Sequence, residues 1–129
     1  MEDMHMHLKK GVTDISIMQN YVEKCKEMKL NRVLFLDHGN RMSPKHTPVL
    51  NETKVIDKFF ENIKIVKENN PDIEINAGIE SDFSYDEEFK EKEIKILKSY
   101  PFDYIIGSVH GMEKANYIDY LQANIDMIK

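Results

Sequence analysis

The sequence predicts an α/β fold built from four βα units, and three observations support that class. Strand-like and helix-like patterns alternate along the chain, the strand candidates are short and almost continuously apolar, and Pro or Gly separates several of the segments. Strands that alternate with helices favour a parallel sheet with right-handed crossovers. The 129 residues are enough for one globular domain with its own core, so a single domain over residues 1–129 is expected.

The first two units occupy the N-terminal half of the chain. A short strand is predicted over residues 4–7, and Thr13-Asp14 offers the start of a first helix. The apolar stripe of that helix is predicted to be Ile17, Tyr21, Cys25 and Met28. The run over residues 32–36 is typical of a strand covered on both faces. A polar loop then leads to a second helix over residues 51–68, approximately.

The last two units follow the same pattern. Residues 73–80 form the third predicted strand, and Ser84 with Glu87 has the spacing of a capping box that opens a helix ending near residue 98. The fourth strand is predicted over residues 104–109. A final helix is indicated by the helical spacing of Tyr117, Tyr120, Leu121, Asn124, Ile125 and Ile128.

Composition excludes several classes of function. The 23 acidic and 18 basic residues give a net charge of -5, which argues against nucleic-acid binding because that function needs a basic surface. No apolar run approaches the roughly 20 residues that span a bilayer, so no membrane partner is expected. The N-terminus lacks the features of a signal peptide, and the single Cys25 is expected to be a small buried hydrophobe. These features favour a cytoplasmic protein.

Potential metal ligands stand at the ends of the predicted strands. His5 and His7 form a His-x-His pair on the first strand, while His38, Glu80 and His110 close the other three. Functional side chains of parallel α/β sheets gather at the carboxyl ends of the strands. Residues two apart on a strand also share a face, so both imidazoles of the pair would point the same way. One rim could therefore receive ligands from all four units.

Imidazoles combined with a carboxylate suit zinc, iron or manganese better than magnesium or calcium. A carboxylate such as Glu80 can bridge two ions through its two oxygens, which makes Glu80 a candidate catalytic residue, since paired metals activate water and stabilise a phosphoryl displacement. Asp3 and Asp37 are potential partners that would orient the neighbouring imidazoles. A single histidine at a strand end is ordinarily a hydrogen-bonded surface residue, and it is the combination that favours a metal site.

Arg41 follows His38 in a loop that should overhang this rim. A guanidinium at that position could bind a phosphate dianion in bidentate fashion, which would make Arg41 a second catalytic residue. A solvated loop arginine is an equally good interpretation. His46 lies in a Pro-flanked stretch with no strand before it, and we interpret it as a loop histidine.

Four segments together resemble the PHP phosphoesterases, in particular the histidinol-phosphatase branch. They are Asp-Met-His-Met-His at 3–7, Leu-Asp-His at 36–38, Gly-Ile-Glu at 78–80, and 102–110, which ends in Ile-Gly-Ser-Val-His. Their order and spacing are similar to the first four motifs of that family, and the last is the most specific to the branch. The resemblance covers essentially the whole chain.

The resemblance implies the first half of a distorted (β/α)7 TIM-like barrel with up to three divalent metal ions at the carboxyl ends of its strands. His5 and His7 would hold the first metal, and Glu80 would bridge it to a second metal bound by His110. His38 would belong to the third. The implied reaction is hydrolysis of L-histidinol phosphate, a small phosphate monoester, to histidinol and phosphate in histidine biosynthesis.

The sequence departs from the family after the fourth unit. A later histidine and the closing Asp-x-His motif are absent from the 129 residues, so the chain corresponds to a partial PHP domain. Three interpretations stay open. The chain is the N-terminal portion of a larger enzyme, a half-length protein that forms a homodimer through its exposed edge, or a catalytically incomplete metal-binding module of PHP descent. Exposed strand edges are a recognised cause of association.

Overall fold

Strands and helices alternate in the structure in the order that the hydrophobic patterns predict. The structure is a computed structural model that describes residues 1–39, 49–84 and 86–109, with the side chain of Asp3 left out. The parallel strands are β1 (Glu2–His7), β2 (Arg32–His38), β3 (Glu74–Asp82) and β4 (Tyr104–Ser108). The helices are a 3-10 helix (Lys9–Val12), α1 (Ile15–Glu27), α2 (Thr53–Asn69) and α3 (Glu87–Ser99).

The four strands form one parallel sheet in the order β1-β2-β3-β4. The pairing of β2 with β3 is regular from Arg32 opposite Glu74 to His38 opposite Glu80. Neighbouring strands therefore end side by side, which brings their carboxyl ends to one edge of the sheet. The predicted α/β class is confirmed, and the arrangement is consistent with the partial TIM-like barrel that the resemblance implies.

β2 is buried from Val33 to Asp37, as expected of a strand covered on both faces. Val33 and Phe35 belong to the main core between the sheet and the helices, while Leu34 and Leu36 are buried on the opposite face. The other fully buried members of the main core include Val12, Met18, Val22, Leu50, Ile56, Phe59, Val66 and Ile79. Burial of this much apolar surface is the principal stabilisation of the fold.

The apolar stripe predicted for α1 is wrong in part. The helix buries Met18, Val22 and Cys25, whereas Tyr21 and Met28 are exposed. Hydrophobic side chains occur on both sides of this helix. The stripe predicted from their spacing is therefore rotated around the helix axis relative to the stripe that packs against the core. The expectation that Cys25 is a small buried residue is confirmed.

The predicted capping box of α3 is also wrong. Asp86 caps the helix by accepting a hydrogen bond from the backbone N–H of Phe89 at 2.9 Å. Ser84 is buried two residues earlier, where its hydroxyl accepts from the backbone N–H of Asp86 at 3.0 Å. Both residue types are good N-caps, but the hydroxyl of Ser84 is bonded to the backbone of Asp86, and it is Asp86 that starts the helix.

Several predictions fall on residues that the structure does not describe. The final helix, with its stripe from Tyr117 to Ile128, is among them, as are Arg41, His46 and His110. Within the ranges that are described, none of the helices combines the length and apolar character that crossing a bilayer requires.

Candidate metal centre

The register of the sheet places three predicted ligands at one rim. His38 lies opposite Glu80 on β3, and His7 lies opposite Leu36 on β2. Because residues two apart on a strand share a face, His7, His38 and Glu80 point to the same side of the sheet. His5 precedes His7 by two residues and joins them there. Four of the five predicted ligands are thus brought together by strand pairing.

Three ligand atoms converge on one point of this rim. The Nε2 atoms of His5 and His7 are 2.8 Å apart, and each lies 3.2 Å from Oε2 of Glu80. Ligand atoms around a tetrahedral zinc are about 3.3 Å apart when its bonds are about 2.0–2.1 Å long. The donor types and their separations therefore fit a divalent metal ion, with His5, His7 and Glu80 as the group that could hold it.

His38 extends the cluster on its buried side. Its Nδ1 lies 3.5 Å from the same Oε2 of Glu80, and its ring stands 4.4 Å from that of His7 between centroids. A second group of potential ligands, His7, Asp37 and His38, has donor atoms within 4.8 Å of one another. The two groups share His7, so the rim could hold more than one ion.

Exposure changes steadily across the cluster. The Glu80 side chain is only 7% exposed, while those of His38, His7 and His5 are 15%, 25% and 50% exposed. A buried carboxylate is stable only beside positive charge or hydrogen-bond donors, and a divalent cation supplies that charge. The site is therefore anchored at Glu80 and opens to solvent at His5.

Asp37 lies directly behind the imidazoles and is almost completely buried. Its Oδ2 accepts a hydrogen bond from the backbone N–H of Lys9, and its Oδ1 accepts one from the backbone N–H of His38 at 2.8 Å. The same Oδ1 is 3.6 Å from Nδ1 of His7. Asp37, the predicted partner of the imidazoles, therefore contacts the ring of His7 and the backbone of His38.

A polar pair beside the cluster was missed by the sequence analysis. The hydroxyl of Ser108 donates to Oδ1 of Asp82 at 2.8 Å, and the backbone N–H of Phe83 donates to the carbonyl of Ser108 at 2.8 Å. Asp82 follows Glu80 by two residues, so the carboxylates share a face of β3. The two-residue spacing of Glu80 and Asp82 was the signal available in the sequence. The contact of Asp82 with Ser108 makes the end of β4 part of the same rim.

The outcome for the predicted site residues is mixed. His5, His7, His38 and Glu80 come together, whereas His110 and Arg41 lie outside the described residues. The role of each residue as a metal ligand or a catalytic group stays a prediction. The same holds for Asp3, whose side chain is not described.

Comparison with known protein families gives an independent result. The sequence profile of the family described as PHP domain matches residues 3–128. No protein with a curated description matched the chain. The profile match runs through all four strands of the sheet and through every segment that contributes to the cluster of histidines and carboxylates. The chain belongs to the PHP domain family.

Proposed function

We propose that this protein is a metal-dependent phosphomonoesterase of the histidinol-phosphatase kind, with L-histidinol phosphate as its substrate. Family membership supports a metal-dependent hydrolase in general. The observation that carries the proposal is the convergence of two imidazole nitrogens and one carboxylate oxygen at the rim of the sheet. The branch and the substrate are supported by the Ile-Gly-Ser-Val-His segment at 106–110.

His5, His7 and Glu80 would hold one divalent ion, and His38 would contribute to a neighbouring one. Zinc, manganese and iron suit this mixture of nitrogen and oxygen donors. When bound, such ions supply Lewis-acid activation of water and stabilise charge on the phosphoryl oxygens. In the same proposal, His110 is a further metal ligand and Arg41 binds the phosphate of the substrate. We also propose that the protein is cytoplasmic and that residues 1–129 form one partial PHP domain.

Glu80 and His5 differ in burial, and this difference suits them to different roles in the site. Glu80 is fixed near the end of a strand that is paired on both sides, and its Oε2 faces three imidazoles. His5 stands at the exposed side, where a phosphate monoester can approach. A rigid carboxylate with a more accessible imidazole holds the reacting groups in place without a large rearrangement.

The test is phosphate release from L-histidinol phosphate with added manganese or zinc and with a chelator control. We expect His5→Ala and Glu80→Gln each to lower kcat/KM at least about 100-fold, because each removes a donor from the convergent group. Glu74→Gln is the matched control. Glu74 lies on the same strand and the same face as Glu80, at the opposite end and exposed, so its variant should keep full activity.

Retention of full activity by the His5 and Glu80 variants would show that the site is elsewhere. Metal-dependent thermal stabilisation without release of phosphate would instead support the alternative function, a metal-binding module of PHP descent. This alternative is favoured by the same donor geometry, which can hold a metal ion whether or not turnover occurs.

A further inference from the structure

We propose that Asp82 determines the substrate specificity of the site by binding an ammonium group next to the phosphate, and that Ser108 holds the carboxylate of Asp82 in place. The inference rests on the proposed function and deepens it, because it assigns the part of the site that would recognise the non-reacting half of the substrate. The substrate class is phosphate monoesters that carry a protonated amine close to the phosphate. L-Histidinol phosphate belongs to this class.

Asp82 is the last residue of β3 and follows Glu80 by two positions. Residues two apart on a strand share a face, so both carboxylates belong to the side of the sheet that carries the proposed metal ligands. Asp82 is as buried as Glu80, since each residue is 5% exposed. A charge in such a poorly hydrated position attracts an opposite charge more strongly than a charge in bulk water does.

The two carboxylates lean toward opposite edges of the sheet. Oε2 of Glu80 faces the imidazoles on β1 and β2. Oδ1 of Asp82 instead accepts from the hydroxyl of Ser108 on β4 at 2.8 Å. Within the part of the chain that the structure describes, Asp82 belongs to neither group of potential metal ligands. A substrate whose phosphate lies at the metal centre would therefore have its organic part on the side of Asp82.

The spacing of Glu80 and Asp82 suits a short aminoalkyl phosphate. The Cα atoms of two residues on the same face of a strand are about 6.6 Å apart. In L-histidinol phosphate roughly four single bonds separate the phosphorus from the amino nitrogen, a span of about 4–5 Å at ordinary bond lengths. A phosphate beside Glu80 therefore brings the ammonium within reach of a carboxylate one step further along the strand, where a charged hydrogen bond can form.

Ser108 fixes the direction of this carboxylate. Its hydroxyl donates to Oδ1 of Asp82, the residue opposite it in the register of β3 and β4, and lies 3.4 Å from the carbonyl oxygen of Ser81. The carbonyl of Ser108 in turn accepts from the backbone N–H of Phe83 at 2.8 Å. A carboxylate that is already held by one oxygen loses less rotamer freedom when it binds a ligand, and this raises its affinity.

A structural tie between β3 and β4 is the alternative role of this pair. In that role, loss of the Asp82 charge would weaken the fold and lower the affinity for every ligand to the same degree. In the proposed role, the loss lowers the affinity only for ligands that carry an ammonium group. Two ligands that differ only in the amine therefore separate the two roles.

The experiment uses two hydrolysis-resistant analogues of L-histidinol phosphate in which a methylene group replaces the ester oxygen. One analogue keeps the amine and the other lacks it. Isothermal titration calorimetry with the manganese-loaded protein gives the Kd of each. We expect wild type to bind the analogue with the amine about 10–100-fold more tightly. In Asp82→Asn this preference should disappear while the Kd of the analogue without the amine stays unchanged, and Ser108→Ala should reduce the preference.

Asp103→Asn is the matched control, because Oδ2 of Asp103 accepts from the backbone N–H of Ala77 at 2.8 Å and so makes a comparable tie to β3 toward the amino end of β4. Its variant should keep the preference of wild type. Equal binding of the two analogues by wild type would overturn the proposal. So would a preference that persists in Asp82→Asn, or an equal weakening of both analogues in that variant.

If Asp82→Asn does not fold, an unchanged preference in Ser108→Ala would overturn the proposal, as would failure of wild type to bind either analogue. Phosphate release from L-histidinol phosphate is measured separately. Its absence beside a retained binding preference would contradict the proposed function alone. Its presence beside equal binding of the two analogues would contradict the role of Asp82 alone.

Discussion

Among individual residues, Gly78 has a steric role that follows from its position beneath Glu80. It lies two residues before Glu80 on the same face of β3, where neighbouring groups approach its Cα closely. A Cβ there would lie 3.0 Å from Cδ1 of Leu34, 3.2 Å from the carbonyl oxygen of Tyr104 and 3.3 Å from Cβ of Leu36. Glycine therefore lets the buried layer of β2 close under the candidate metal centre.

We expect Gly78→Ala to lower the free energy of unfolding by about 1–3 kcal/mol, because the added methyl overpacks a contact that includes backbone. Urea denaturation would measure the loss. Gly107→Ala on β4 is the control, since a Cβ at that position would meet nothing within 4 Å. Equal destabilisation by the two variants would contradict the steric explanation.

The sequence predicted which residues lie at or near the carboxyl ends of the strands, although β3 continues two residues beyond Glu80, and it did not predict the partners of these residues. His7, His38 and Glu80 are recognisable because each closes an apolar run, and parallel pairing brings such ends together. The hydrogen bond from Ser108 to Asp82 and the one from Lys9 to Asp37 depend on register and on a left-handed turn. Neither can be derived from spacing within one segment.

Among the elements, the strands were easier to predict than the helix faces. A strand covered on both faces is a continuous apolar run, and β2 is buried at five consecutive positions. Helix α1 has apolar residues on more than one side, so its buried face depended on packing against the sheet and α2. The start of α3 depended on Asp86, which accepts from Phe89, while Ser84 accepts from the backbone of Asp86, and local preferences do not distinguish these two capping residues.

The amino ends of three strands are joined by Arg32. Its Nε lies 2.9 Å from Oε2 of Glu74 on β3, and its Nη1 lies 3.4 Å from Oε1 of Glu2 on β1. A hydrogen bond from Asn76 and the contact with Arg32 lower the pKa of Glu74 below its ordinary value of 4.5. A carboxyl with a lowered pKa stabilises the fold above its unfolded pKa, and that contribution is lost as pH falls through the folded pKa.

We therefore expect Glu74→Gln to reduce the loss of stability between pH 5 and pH 3. Because Glu74 is solvent-exposed and the ion pair is screened, the effect should be small and should shrink further in high salt. Urea denaturation of wild type and variant across this pH range would measure it. An identical decline for both proteins would show that other carboxyls govern acid stability.

At the scale of the whole molecule, the sheet that the structure describes ends at β1 and β4. Ile105 on β4 is 52% exposed, and Tyr104 and Val109 nearby are also exposed. An edge strand with apolar side chains invites pairing with another chain. Of the three interpretations that the sequence leaves open, we therefore propose the one in which the protein forms a homodimer through that edge.

We expect the molecular mass in solution to rise with protein concentration toward that of a dimer. Ile105→Lys should shift this equilibrium toward the monomer, because it places a charge on the proposed contact. Met28→Lys is the control, since Met28 is exposed at the end of α1 and far along the chain from this edge. Light scattering across a concentration series would decide, and a monomer at every concentration would contradict the proposal.

β1 has a consequence for the energetics of the site. It pairs with β2 along one side, yet it supplies His5 and His7, two of the four grouped donors. Edge strands open locally more often than central ones, and each opening separates these donors from Glu80. Closing β1 onto β2 and assembling the donor group are therefore one equilibrium. An ion bound there would stabilise the closed strand, and a change that frays β1 would weaken ion binding in proportion to the fraction of molecules in which β1 is closed.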